Sequence, residues 1–436
     1  MENSKNSEVV VRFPPSPTGM LHIGSVRTAL FNYFFAKQNG GKIILRMEDT
    51  DKERSKKEFE ENIIAGFEWL NIKFDSFYRQ SERTEIYKNE LEKMIKEGSA
   101  YISKEEPTEE GKRTEVIRLK NPKKVITFTD MLRGEISVDP SDLGDFVIAR
   151  SIDDPLYHLA VVVDDALMGI TNVIRGDDGL ANTPRQILIQ EALGYARPAY
   201  AHIPFVLGAD KSKLSKRHGA LSLLEYREMG YLPEAIINFL STLGWSTQSS
   251  HNQTDENREI FSREELVKLF DIMHVQKAPA VFNIEKLDWI NREHLLKLPI
   301  EEIEIEVVKR LGEGTEVLAE IVRDRINKWG DISMLKEAGE FDFFFKEPSY
   351  EQALLLGKKG ELGLEETKKH LDKILTLPLS KDPIWEYASE SGRGAVLWPL
   401  RVALSGKEKS PDPFAMIRAL GETKSRERIS HASSIL

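Results

Sequence analysis

Cysteine is missing from all 436 residues. That excludes disulfides, thiol nucleophiles and any thiolate zinc site. The nine histidines show no compact ligand spacing, so no zinc and no protein-built metal cage is expected. Long apolar runs are missing too: nothing approaches the roughly 18 residues a membrane span needs. The opening "MENSKNSE" has neither the basic nor the apolar part of a secretory signal. These absences predict a cytoplasmic protein with no membrane partner. Surplus positive charge is the third absence, since the formal net charge is −10. Nucleic acid is therefore not coated through bulk charge, and any RNA partner has to be met by local basic strips against background repulsion. The length suits about three domains, each with its own core.

The stretch "RFPPSPTGMLHIGSVRTALFNYFF", from Arg12, puts three prolines and a glycine between an apolar run and a helix. Upstream, "VVVRF" reads as a buried strand. Downstream, Val26, Leu30 and Phe34 recur at i, i+4 and i+8, one apolar helix face. A strand, rigid loop and helix bring free backbone N–H groups and the positive end of a helix dipole to a sheet's carboxyl edge. Gly24 permits close approach of a ligand, and His22 offers a ring donor for an anionic oxygen. From the residues alone, two readings stand: a phosphate site, or a structural loop with a surface histidine.

"GGKIILRMEDTD" supplies a second strand at the spacing of a βαβ unit and delivers Glu48, Asp49, Thr50 and Asp51 to the same edge. Between about Tyr78 and Asp154 a charged helix and short strands ("TEVIRLK", "GDFVIARS") read as an insertion. The parallel pattern resumes at "ITNVIRG". A helix follows in "ANTPRQILIQEALG", with Thr183 as N-cap, Pro184 at N1 and Gly194 at its end. "YAHIPFVLG" reads as a last strand, leading into "ADKSKLSKRHG". There Lys211, Lys213, Lys216 and Arg217 make either a solvated charged turn or a loop that folds over phosphates. The chain beyond Gly219 reads as mostly helical, with a polar surface loop near residue 250 and a break at "SESGRGAVLWP".

Together "PPSPTGMLHIGS" and "KLSKR" resemble the HIGH-type and KMSKS-type motifs of class I aminoacyl-tRNA synthetases. With "RMEDTD" and "GITNVIRGDD" the chain is similar to the glutamyl-tRNA synthetases, over nearly its whole length. The resemblance implies an α/β fold: a Rossmann-type parallel sheet with an inserted acceptor-binding α+β domain, a stem-contact helical region and an all-helical anticodon-binding domain. It places the catalytic halves at 1–78 and 157–218, the insertion at 79–156, the stem-contact region at 219–298 and the anticodon domain at 299–436.

The implied chemistry ligates L-glutamate to the 3′ end of tRNA-Glu through a glutamyl-adenylate, with ATP and its Mg²⁺ as co-substrate. His22, Lys213 and Lys216 carry the catalytic charge stabilisation by resemblance, with Gly24, Asp178 and Ser215 completing the ATP set. Arg12, Ser16, Glu48, Tyr157 and Arg175 match the family's glutamate-binding positions. A monomer is expected, and tRNA-Gln stays open as a second substrate because family members differ on it. Two departures stand out. Gly179 occupies a position where relatives often carry histidine or tryptophan, and the insertion is short between Ser103 and Glu115. Glutaminyl-tRNA synthetase is the nearest alternative, and Arg175 argues against it, because a buried guanidinium facing a neutral amide lacks an anion. A truncated relative lacking the anticodon domain is disfavoured by the helical C-terminal sequence. An inactive RNA-binding paralogue is disfavoured by intact His22, Gly24, Lys213 and Lys216.

Overall fold

The computed structural model describes residues 8–105, 115–212, 214, 221–247, 258–357 and 362–436. Lys213, Ser215, Lys216 and Arg217 of the lysine loop lie outside the described residues. The chain divides into two units, Met1–Ile290 and Asn291–Leu436.

The first unit is built on parallel strands. Strand β1 (Val10–Phe13) leads into helix α1 (Ile23–Gln38) and strand β2 (Lys42–Met47), followed by α2 (Lys57–Trp69) and β3 (Ser76–Arg79). These strands pair in parallel in the order β1-β2-β3, with Val10 opposite Lys42 and Ile44 opposite Ser76. Helix α3 (Thr84–Glu97) and strands β4 (Ala100–Lys104), β5 (Glu115–Leu119), β6 (Ile126–Asp130), β7 (Gly134–Val138), β8 (Val147–Ser151) and β9 (Asp154–Pro155) follow. Then come α4 (Tyr157–Leu167), β10 (Asn172–Gly176), α5 (Thr183–Leu193) and β11 (Ala199–Ile203). The β1 and β10 edges abut through Thr171, whose backbone N–H donates to the Val10 carbonyl at 2.9 Å.

The strands β1, β2, β10 and β11 are near-continuous buried runs, as strands covered on both faces are. Val26, Leu30 and Phe34 of α1 are fully buried, as their spacing requires, but so are Ala29, Phe31 and Asn32. The helix is therefore enclosed on several sides. Phe31 and Phe34 meet Phe270 at 5.1 and 5.6 Å between ring centroids.

Three local expectations are corrected. Thr183 is the first helical residue of α5, preceded by Asn182 at the cap, because the Thr183 hydroxyl is engaged elsewhere. "YAHIPFVLG" is two strands, β11 and a short β12 (Val206–Leu207), interrupted at Pro204, which cannot donate to a ladder. "SESGRGAVLWP" is broken only at Gly392 (φ 100°), and Pro399 sits inside the helix Arg393–Ser405.

Residues 79–156 do not form a self-contained body. β4, β5, β8 and β9 make one antiparallel sheet, but the β6–β7 hairpin joins the catalytic sheet in the order β10-β11-β6-β7. Its single register pair is Tyr200 opposite Asp130. Tyr87, Leu91 and Ile148 accordingly share a core with Leu159, Val173 and Ile187.

Helices are the regular elements of the second unit, and among its described residues there is no strand. Arg428 is buried there and donates to the carbonyls of Phe343, Leu404 and Lys346 at 2.7–2.9 Å, stitching three segments together. Among the described residues no helix is long and apolar enough to cross a membrane.

Phe34→Ala should lower stability by about 3–5 kcal/mol through loss of buried area and a residual cavity. Met273→Ala, at a side chain 57% exposed, should stay within about 0.5 kcal/mol. Urea unfolding followed by tryptophan fluorescence checks both.

Candidate active site

A cleft of about 430 Å³ opens at the carboxyl ends of β1, β2 and β10, beside the N-terminus of α1. Arg12, Ser16, His22, Gly24, Glu48, Tyr157, Arg175 and Asp178 all line it. Thus eight of the site residues read from the sequence meet at one place, while Lys213, Ser215 and Lys216 fall outside the described residues. Of the acidic run after β2, only Glu48 reaches the cleft. Asp49 accepts from Ser81 and Asp51 pairs with Arg54, so both are local braces.

The proline loop is held by backbone bonds to the segment after β2. Glu48 N donates to the Pro15 carbonyl at 2.9 Å and Lys56 N to that of Pro17 at 3.0 Å. His22 is the N-cap of α1, a role its place in the motif does not advertise. Its Nδ1 accepts from Gly24 N at 3.1 Å, which puts the neutral ring's proton on Nε2. Gly24 accordingly has a second reason to be glycine: an added Cβ would lie 3.3 Å from Nδ1 of His22.

Behind the cleft lies a buried ion network. Arg46, fully buried on β2, donates to Asp165 at 2.7 Å and to Glu48 at 3.1 Å, and its Nε lies 3.7 Å from Asp164. Burial opposes the Arg46 charge, but Asp165, Glu48 and Asp164 together hold it firmly protonated. Arg12 shares Asp165 at 3.3 Å. Burial also works against the Asp165 carboxylate, and Arg12 with Arg46 still keeps its pKa below the usual range. Burial pushes Glu48 the other way, up to about 7, against the pull of Arg46.

Three guanidiniums of this cleft lack a full set of partners, Arg27 at its buried Nη2 among them. Arg12 Nη1 is buried with no hydrogen-bond partner. Arg175, 8% exposed, donates only to neutral groups: His202 Nε2 at 3.1 Å, Gln186 Oε1 at 2.8 Å and Thr183 Oγ1 at 2.7 Å. Three of its five N–H groups are thereby used. Among the described residues no carboxylate forms an ion pair with it. Burial, and then repulsion from Arg12, lower its pKa. A buried cation in this condition lacks a counter-charge, which is costly.

Sequence reading missed four contributors. Asp164 and Asp165 sit as an adjacent acidic pair inside the apolar run "LAVVVDDAL", and that interruption was the available signal. Arg27, in the second turn of α1, lines the cleft and donates to Pro204 O at 2.9 Å and Leu243 O at 2.8 Å. Burial lowers its pKa to about 10, which leaves it charged at neutral pH beside the helix N-terminus. His202 carried no motif at all.

Parallel strands, a crevice at their carboxyl edge and a histidine-capped helix beside it are the frame of an α/β ligand-binding fold, and the comparisons say which. The family described as "tRNA synthetases class I (E and Q), catalytic domain" matches residues 8–113 and 102–289, and an "Anticodon binding domain" matches 284–433. A glutamate–tRNA ligase of Aquifex aeolicus is 40% identical over 97% of this chain and 98% of that protein. One from Carboxydothermus hydrogenoformans is 38% identical over 97% and 99%. A glutamate tRNA ligase of Elizabethkingia meningosepticum, solved in complex with its amino acid, superposes with a TM-score of 0.84 at 32% identity, covering 99% of this chain and all of that one. The chain is a class I tRNA synthetase. Within that class it belongs to the glutamate–tRNA ligase family.

Gly179 acquires a physical meaning from Arg175. A Cβ at position 179 would lie 2.4 Å from Arg175 Nε and 2.5 Å from its Cδ, so no side chain fits while Arg175 keeps this pose. Gly179→Ala should displace the guanidinium and raise KM for glutamate about tenfold while leaving KM for ATP within about twofold, as steady-state exchange kinetics with each substrate varied would show.

Glu48 generates a pH prediction. Its folded-state pKa lies above the ordinary carboxylate value, so the anion that can face an ammonium group is lost as pH falls through about 7. kcat/KM for glutamate should fall with a one-proton slope below that pH, and Glu48→Gln should abolish the inflection at a lower plateau.

Proposed function

We propose that this chain joins L-glutamate to the 3′ end of tRNA-Glu in two steps within this cleft. The glutamate α-carboxylate attacks the α-phosphorus of ATP, and diphosphate leaves. The terminal ribose hydroxyl of the tRNA then attacks the acyl carbon, and AMP leaves. The observation that carries the reading is the pair of buried, under-partnered guanidiniums, Arg12 and Arg175, opposite the buried Glu48 carboxylate. A dicarboxylic amino acid supplies what each lacks: anionic oxygens for the two arginines and an ammonium for Glu48. Ser16 and Tyr157 offer hydroxyls on the same wall.

The ATP end is assigned to the start of α1. His22 presents its Nε2–H, and Arg27 adds a fixed positive charge. Lys213 and Lys216, with Ser215, are the cations and hydroxyl assigned to the phosphates, and Asp178 is assigned to the ribose side. Such chemistry works by positioning and charge stabilisation rather than through a covalent enzyme intermediate.

Mg²⁺ belongs with the ATP phosphates. Glu48 and Asp178 are the carboxylates among the described lining residues, and Glu48 is assigned to the substrate ammonium, so Asp178 is the carboxylate left for the ion. That suits an ion held mostly by phosphates and water, whose contribution is to neutralise the phosphate charge. Among the described residues no cluster of three or more acidic or histidine side chains could hold a metal by itself.

Arg175→Ala tests the reading. Leaving the substrate γ-carboxylate without its desolvated partner costs about 3–5 kcal/mol, a loss of roughly a hundredfold to a few thousandfold in kcat/KM for glutamate. ATP and tRNA affinity should hold, and rejection of glutamine should weaken, since a neutral pocket no longer penalises an amide. A folded Arg175→Ala enzyme of near wild-type efficiency toward glutamate would show that the amino-acid pocket is assigned wrongly.

A further inference from the structure

The hairpin β6–β7 reaches the amino-acid pocket through one side chain. Asp130, the last residue of β6, is 1% exposed and accepts four bonds. Its Oδ1 takes the backbone N–H groups of Leu132 and Arg133 at 2.9 and 3.0 Å. Its Oδ2 takes the His202 backbone N–H at 3.0 Å and contacts His202 Nδ1 at 2.7 Å. Because a carboxylate only accepts, the histidine proton sits on Nδ1. Nε2 is left as a lone pair, which accepts from Arg175 Nε at 3.1 Å and also lies 3.0 Å from the Thr183 hydroxyl. Burial lowers the His202 pKa, with Asp130 opposing, which keeps the ring neutral. A second proton would set Nε2–H against Arg175 Nε–H.

We propose that Asp130 and His202 are positioning residues for substrate recognition: Asp130 fixes the tautomer of His202, whose Nε2 then orients the Arg175 guanidinium toward the γ-carboxylate of glutamate. This rests on the reading of Arg175 as the substrate's partner. The arrangement uses the same logic by which a buried aspartate holds a catalytic histidine in one tautomer, applied to a binding arginine. Asparagine at 130 cannot do it. Its single oxygen can satisfy the turn amides or His202, not both, and an amide group facing Nδ1 drives the proton to Nε2.

The test is tRNA-supported ATP–pyrophosphate exchange with glutamate and ATP varied separately. Asp130→Asn and His202→Asn should each raise KM for glutamate about tenfold, the worth of one hydrogen bond to a charged group, with kcat and KM for ATP changed less than about twofold. His202→Gln, whose amide oxygen can stand where Nε2 stood, should stay within about threefold of wild type. In an Arg175→Ala background, Asp130→Asn should add nothing further, because its effect travels through that arginine. Wild-type KM for glutamate in both single variants overturns the proposal, as does a parallel loss in all three parameters or full additivity with Arg175→Ala. If Arg175→Ala itself leaves KM for glutamate unchanged, the reading of the pocket fails rather than the pair's geometry. Should the single variants not fold, ¹⁵N-histidine NMR of the wild-type protein decides. The His202 resonances, assigned by their loss in His202→Gln or by through-bond correlation, should show the proton on Nδ1, and a proton on Nε2 overturns the proposal.

Discussion

The arginine-lined end of the cleft depends on the buried salt cluster centred on Arg46. Its guanidinium lies between strand β2 and helix α4, where Asp165, Glu48 and Asp164 surround it. Asp164 also accepts from Gln80, Arg83 and Tyr87 at 2.7–3.0 Å, which draws the start of α3 onto the same helix. Asp165 in turn reaches Arg12 on β1. Four segments thus converge on one set of charges. Such a cluster contributes little net stability, because desolvation offsets most of the attraction. Its value lies in geometry: a charge that must be matched can sit in only one arrangement.

That arrangement leaves the cleft electrostatically incomplete. Arg46 is fully neutralised, whereas Arg12 keeps a buried nitrogen without a partner and Arg175 is held by neutral oxygens and a ring nitrogen. Holding a guanidinium with neutral acceptors fixes its direction without spending its charge. An incoming carboxylate then meets a cation that is already aimed and already stripped of water, so little reorganisation accompanies binding. Glu48 is the complement, a carboxylate whose pKa near 7 leaves it responsive to an adjacent ammonium.

Much of this was legible in the chain. The β-branched run before Arg12, the three prolines, the helix face of Val26, Leu30 and Phe34, and the strand that carries Arg175 each have a local signal, and each lies where that signal puts it. Ordered motifs then implied that residues as far apart as Ser16 and Asp178 share one site, and they line one cleft. Less legible was anything that depends on a partner distant in sequence. "YAHIPF" reads as an ordinary strand, and nothing local says that His202 points at Arg175 on one side and Asp130 on the other. The segment 79–156 reads as an insertion, yet the β6–β7 hairpin within it completes the catalytic sheet, because strand order is not written in strand composition.

By itself, then, the sequence determined the elements, their order and the chemical identity of the groups available, because period, capping and loop stiffness are local properties. It also excluded thiol chemistry and a bilayer-spanning run through what it lacks. Only the tertiary structure decided which charges are spent and which remain open. Arg46 and Arg175 are both strand arginines ending apolar runs, indistinguishable in their local pattern. One is surrounded by three carboxylates and the other by none, since the neighbours of a buried charge are set by which segments pack against it.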